Sequence, residues 1–235
     1  MNPAERLIVA LDLPEPRQAR AMADTLGDTG VAFKIGLELF LAGGPDFVAE
    51  MASRYRVFLD LKFHDIPSTV AAAVKAAALL GVWMVNIHAA GGREMMAAAR
   101  EALADFNQKP LLLAVTVLTS LDRRQLSEVG VRADLEMQVR LLASLAAESG
   151  MDGVVCSPLE IKAVKDVGGS SFLAVSPGVR PAGSLEDDQS RVATPREVIR
   201  AGGDYLVVGR PIRAAYDPAA AAFDIIKEMR ESELK

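Results

Sequence analysis

The chain has 235 residues, 51% of them hydrophobic and 24% charged, with a formal net charge of −5 and a pI near 5.2. That supplies apolar material for one large domain with a real core, and the acidic balance argues against a nucleic-acid-binding surface. The single cysteine, Cys156, excludes an internal disulfide framework and a thiolate metal cluster, and no apolar run approaches the length needed to cross a bilayer.

Short apolar, β-branched runs recur along the chain with helical patterns between them. The strand candidates are Leu7–Leu13, Val31–Leu37, Val57–Phe63, Met84–Ala89, Leu111–Leu118, Gly153–Ser157, Phe172–Pro177 and Tyr205–Arg210. The helical stretches between and after them are Glu15–Asp28, Leu39–Ser53, Ser68–Leu80, Arg93–Asp105, Ala133–Ser149, Pro158–Val167, Pro195–Ala201 and Pro218–Arg230. Several open on Pro or Ser, and several end at a glycine (Gly81, Gly150, Gly168, Gly202), as helix start and stop signals should. Strand–helix alternation repeated eight times predicts an α/β fold, a single-domain (β/α)8 TIM barrel over residues 1–235. An open doubly wound sheet fits less well, because no Gly-x-Gly-x-x-Gly follows the first strand.

Charges sit where a barrel keeps its active site, at the C-terminal ends of the strands. Asp12 has the parity of Ile8 and Ala10, Lys34 lies between Phe33 and Ile35, and Asp60 and Lys62 share one face of the third strand. Ionised groups in a core cost several kcal/mol each unless paired, so these charges point to a site. A structural ion-pair ladder is the competing explanation. Flanking carboxylates, Asp60 and Asp65, would keep Lys62 protonated, which favours an ammonium proton donor over an amine nucleophile.

The seventh and eighth strand ends each place a glycine near an arginine, in Ser176-Pro177-Gly178-Val179-Arg180 and Val207-Val208-Gly209-Arg210-Pro211. Barrels commonly bind phosphate there, and Arg210 adds a planar fork suited to phosphate oxygens. The long polar connection from Gly178 to Arg191 is expected to be a lid. Together these features imply a phosphorylated small molecule across the barrel mouth. His64 and His88 are far apart in sequence without metal-ligand spacing, so no metal is expected, and no cofactor fingerprint is present. The first residues lack a basic segment leading into an apolar signal region, so a cytoplasmic location is expected.

The set Asp60-x-Lys62-x-x-Asp65-Ile66-Pro67, Phe33-Lys34-Ile35-Gly36, Leu118-Thr119-Ser120, Ser176-Pro177-Gly178-Val179-Arg180 and Val208-Gly209-Arg210 resembles the bacterial orotidine 5′-monophosphate decarboxylase family. The resemblance runs in order from Leu7 to Arg210. It implies conversion of orotidine 5′-monophosphate to uridine 5′-monophosphate and CO2, the last step of de novo pyrimidine nucleotide synthesis, with no cofactor, in a homodimer with shared active sites. It makes Lys62 the proton donor to C6, sets Asp60 beside the departing carboxylate, and has Lys34 link Asp60 to the ribose. Asp65, with Ile66 and Thr69, is implied to come from the partner subunit. Asp12 would bind ribose hydroxyls and Thr119 the pyrimidine edge, with Ser120 the alternative for that contact. Arg180, Gln189, Gly209 and Arg210 would form the phosphate end. The alternative is a metal-dependent sugar-phosphate decarboxylase or synthase of the same barrel group.

Overall fold

Both faces of a parallel strand in a barrel are covered, so its sequence runs almost continuously apolar, and parity alone decides which side chains point inward. A computed structural model describes residues 2–181 and 192–233 and shows both outcomes. The strands are β1 (Leu7–Ala10), β2 (Ala32–Gly36), β3 (Val57–Phe63), β4 (Met84–His88), β5 (Leu111–Val115), β6 (Gly153–Val155), β7 (Leu173–Ser176) and β8 (Tyr205–Val208). Each pairs in parallel with the next, and β8 pairs with β1, closing the expected barrel. Several strands end earlier than the apolar runs predict. The trailing residues, such as Leu11 to Leu13 and Thr116 to Leu118, pass the last rung of the ladder and form the rim.

Between and after the strands lie α1 (Pro16–Leu26), α2 (Leu37–Arg54), α3 (Pro67–Leu79), α4 (Gly92–Glu101), α5 (Arg123–Glu128), α6 (Leu135–Glu148), α7 (Ile161–Gly168), α8 (Pro195–Arg200), α9 (Arg210–Arg213) and α10 (Pro218–Glu233). Two of these, α5 and α9, were not expected. The start of α5 carries a readable signal, a capping box in which Asp122 accepts from the Gln125 N–H and Gln125 returns a bond to the Asp122 N–H. The α9 turn is a single helical turn opened by Arg210-Pro211. α2 is bent at Gly44, where φ is 68°, just before Pro45.

Inward-pointing Ile8, Ala32, Phe58, Met84, Leu113, Val175 and Tyr205 fill the barrel, while Val9, Phe33, Ile35, Leu59, Val85 and Ile87 pack outward beneath the helices. Burying a side chain such as Phe33 or Phe58 contributes about 1.5–3 kcal/mol. The barrel is therefore a solid plug below its C-terminal mouth. Cys156 lies in the outer core, and burial pushes its thiol up to about 12, so it stays protonated.

Close approach of β6 and β7 fixes one glycine. A Cβ on Gly153 would lie 2.2 Å from the backbone oxygen of Leu173 and 2.5 Å from its Cβ. Gly153→Ala therefore forces the two strands apart, at a cost of about 1–3 kcal/mol. Urea unfolding should show a lowered midpoint with an unchanged slope; a midpoint equal to wild type would contradict this packing.

Candidate active site

The barrel register turns charges scattered in sequence into one chain of contacts. Ala10 pairs with Lys34, Lys34 with Phe58 and Gly36 with Asp60, so the inward residues step round the mouth in order. Lys34 Nζ lies 2.9 Å from Asp12 Oδ1 and 3.3 Å from Asp60 Oδ2, and Lys62 Nζ lies 2.7 Å from Asp60 Oδ1. The result is an unbroken alternating row, Asp12–Lys34–Asp60–Lys62. Its middle members are buried, Asp12 is half exposed, and the Lys62 side chain keeps 31% of its surface. Gly36 leaves room for the row, since a Cβ there would sit 3.1 Å from Lys34 Nζ.

Burial by itself pushes the Asp60 carboxyl up and the Lys34 ammonium down, and pairing reverses both. The Lys34 and Lys62 charges, then hydrogen bonds from Lys62 and Asn86, hold Asp60 below the ordinary carboxylate range. Asp60 and Asp12 likewise hold Lys34 above the usual lysine value. Both groups are therefore ionised across the physiological range, as the sequence argument requires.

Lys62 is the one non-glycine residue with positive φ among the described residues, at 52°. This left-handed conformation costs about 1–3 kcal/mol and persists only where its surroundings impose it. The cause lies in the register. Leu59 pairs with Val85 and Phe63 with Ile87, so β3 advances four residues while β4 advances two. The surplus is taken up as a bulge that carries Lys62. Its backbone N–H turns to the side chain of Asn86, 2.8 Å away. Asn86 is fully buried and also donates to Asp60 Oδ1 at 2.7 Å.

The row opens on a cavity of about 260 Å³ whose far wall carries Arg180, Gly209, Arg210 and Arg213. Thr119 lines it; Ser120 does not. Asp65, Ile66 and Thr69 are exposed at the start of α3, outside this cavity, and the Asp65 carboxylate accepts the Ile66 N–H at 2.7 Å. Gln189 and residues 182–191 of the expected lid lie outside the described residues; the flanking segments are joined by a parallel bridge between Val179 and Ala193.

Family comparisons agree with the geometry. The model of the family described as "Orotidine 5'-phosphate decarboxylase / HUMPS family" matches residues 5–225. The chain belongs to this family. It is 52% identical over 226 residues to the orotidine 5′-phosphate decarboxylase of Teredinibacter turnerae, covering 96% of this chain and 97% of that one. It is 53% identical over 225 residues to that of Halorhodospira halophila, covering 95% of each. Among solved structures, the orotidine 5′-phosphate decarboxylase of Lactobacillus acidophilus superposes with a TM-score of 0.86 at 41% identity, covering 96% of this chain and 99% of that one.

Three site features escaped the sequence reading: Asn86, His88 and Arg213. Asn86 and His88 share the inward parity of Met84, but as uncharged residues in an apolar strand they do not stand out as Asp60 and Lys62 do. Arg213 lies one turn beyond Arg210 on α9 and donates from Nη1 to the carbonyl oxygen of Asp12; its buried Nε has no hydrogen-bond partner among the described residues. The two histidines, distant in sequence, lie with ring centroids 5.2 Å apart. Burial first, then the charges of His64 and Lys62, lower His88 to about 4. From pH 6.5 down to about 4 the unfolded chain therefore takes up a proton at this position before the folded one does, and stability falls with pH. In His88→Asn this slope should flatten in that window, while loss below it persists through Asp60. Unfolding midpoints measured from pH 7 to 4 check this; an unchanged slope would exclude His88 as its source.

Proposed function

We propose that this chain decarboxylates orotidine 5′-monophosphate to uridine 5′-monophosphate and CO2, with the whole of residues 1–235 as one catalytic unit. The observation that carries the reading is the Asp12–Lys34–Asp60–Lys62 row facing a wall of arginines across one small cavity, in a chain about half identical to orotidine 5′-phosphate decarboxylases over nearly its full length. A sugar-phosphate substrate is not favoured by these relatives.

In this reading the phosphate sits against Arg180, Gly209 and Arg210, with Gln189 completing that end, and Thr119 meets the pyrimidine edge. Asp12 and Lys34 hold the ribose hydroxyls. Loss of CO2 leaves an electron pair at C6, in the plane of the ring and poorly delocalised. The Lys62 ammonium, fixed before the reaction, stabilises that charge and then delivers its proton to C6. Asp60 adds repulsion toward the substrate carboxylate. Two like charges about 4 Å apart in an effective dielectric of 20 interact by about 4 kcal/mol, or about a thousandfold in rate. Lys34 and Lys62 already neutralise Asp60, so the repulsion delivered is smaller, and Lys62 carries the larger share. No metal or organic cofactor enters this scheme, because the ammonium supplies the positive charge.

The exposed Asp65, Ile66 and Thr69 serve the site of a second subunit, so the active form is a homodimer with shared sites. Their position outside their own cavity supports this. Among the described residues no helix is long and apolar enough to cross a membrane. The nucleotide substrate, an intracellular metabolite, supports a cytoplasmic location.

Incubation with orotidine 5′-monophosphate should abolish the orotate absorbance, with or without EDTA. An unchanged spectrum at micromolar protein would sink the decarboxylase reading, and loss of turnover in EDTA would restore the metal-dependent one. Lys62→Ala should lower kcat by about 10²–10⁴-fold or more while leaving product binding largely intact. Arg210→Ala should weaken uridine 5′-monophosphate binding by about 10- to 150-fold, the worth of a charged hydrogen bond; a wild-type dissociation constant would remove Arg210 from the phosphate site. Sedimentation at working concentration should give twice the 25.0 kDa chain mass; a monomer with full activity would exclude a shared site.

A further inference from the structure

We infer that Asn86 is a positioning residue of the decarboxylase site, clamping Lys62 and Asp60 to each other so that the ammonium faces the reacting carbon. The inference rests on the function proposed above and deepens it at a residue outside the charged set.

Asn86 lies on β4 with the inward parity of Met84 and is fully inaccessible to solvent. One end of its amide accepts the backbone N–H of Lys62 at 2.8 Å, and the other donates to Asp60 Oδ1 at 2.7 Å. Only one orientation of the amide satisfies both, because the N–H needs an acceptor and the carboxylate needs a donor. Asp60 Oδ1 also receives Lys62 Nζ at 2.7 Å. The contacts therefore close a ring: Lys62 backbone to Asn86, Asn86 to Asp60, and Asp60 to the Lys62 side chain. Both ends of the proton donor are tied into it.

The strand cannot do this work itself. At the bulge β3 runs two residues ahead of β4, and Lys62 stands at φ 52°. The Asn86 side chain supplies the acceptor that the Lys62 N–H needs there. A purely structural role would ask only that a buried polar group be satisfied. Instead, the amide joins the backbone of one reacting residue to the carboxylate of the other. A left-handed lysine without this anchor can relax toward the extended region, and its ammonium would then swing from its position over the cavity. Misplacement of a reacting group by about 1 Å can cost about a hundredfold in rate.

The test compares Asn86→Ala and Asn86→Asp with the wild-type enzyme, measuring kcat and KM for orotidine 5′-monophosphate, the dissociation constant of uridine 5′-monophosphate, and the thermal midpoint. Asn86→Ala removes both bonds. Asn86→Asp keeps shape and the acceptor for the Lys62 N–H, but replaces the donor to Asp60 with a like charge. Asn86→Ala should lower kcat by about a hundredfold, and Asn86→Asp by at least tenfold. Product binding should stay within threefold in both, because the phosphate and ribose contacts lie elsewhere. If Asn86→Ala does not fold, the isosteric Asn86→Asp decides alone. A lowered thermal midpoint with kcat within threefold of wild type would make Asn86 merely structural and overturn the inference. Equal losses in kcat and product affinity would also overturn it, since they indicate collapse of the whole cavity. A wild-type chain that leaves the substrate unchanged would sink the underlying function, and this inference with it.

Discussion

The Asp60 carboxylate, buried between two ammoniums, is the contact on which the rest of the site depends. An isolated charge in that position would cost several kcal/mol, and either lysine alone would leave the other side of the carboxylate unmatched. With Asp12 at one end and Lys62 at the other, two negative and two positive charges alternate, and the row is formally neutral. Neutrality makes the burial tolerable, but only while every member keeps its place. The barrel secures this through the β1–β2 and β2–β3 registers, which set Lys34 beside Ala10 and Phe58 and Asp60 beside Gly36. Gly36 leaves room where a larger residue would press on the Lys34 ammonium.

A neutral row is not a featureless one. Asp60 is enclosed by Lys34, Lys62 and Asn86, so its charge is largely spent on its neighbours. Lys62 is bonded on one side and open to the cavity on the other. What the row presents to a ligand is therefore a positive end, held in place by negative charge behind it. Such an end stabilises an electron pair that develops in front of it, and the work of orienting the charge is done during folding. Two of the arginines across the cavity, Arg210 and Arg213, are also fixed to the frame, since α9 follows directly from β8 and Arg213 reaches back to the carbonyl oxygen of Asp12. The loop that carries Asp12 is thus tied to both walls.

Much of this was legible in the chain. Eight apolar runs became eight strands, and the parity of Asp12, Lys34, Asp60 and Lys62 placed all four inside the mouth, because a closed parallel barrel translates parity directly into inside and outside. What stayed hidden depended on events that parity does not encode. Asn86 carries no charge, so nothing in a search for misplaced charge marks it, although its alternation with Val85 and Ile87 is plain once the strand is known. The left-handed turn at Lys62 arises from a mismatch of advance between β3 and β4, a relation between two strands that neither sequence states. The α9 turn is a single turn whose Arg210-Pro211 opening suits a loop as well as a helix, and α5, although Asp122 and Gln125 spell its capping box, is only six residues long.

That mismatch shapes the β3 end of the site. In a regular strand, residues two apart project in parallel, roughly 6–7 Å from each other, and stay paired to the neighbouring strand. A lysine held that way presents its ammonium along the strand normal and keeps its N–H in the ladder. The bulge breaks this: the chain leaves β4, Lys62 turns left-handed, and its ammonium folds back to 2.7 Å from Asp60. The N–H released from the ladder must still be satisfied, and Asn86 takes it from inside the barrel. The Lys62–Asp60 contact, the backbone strain and the buried amide on the next strand are consequently one arrangement.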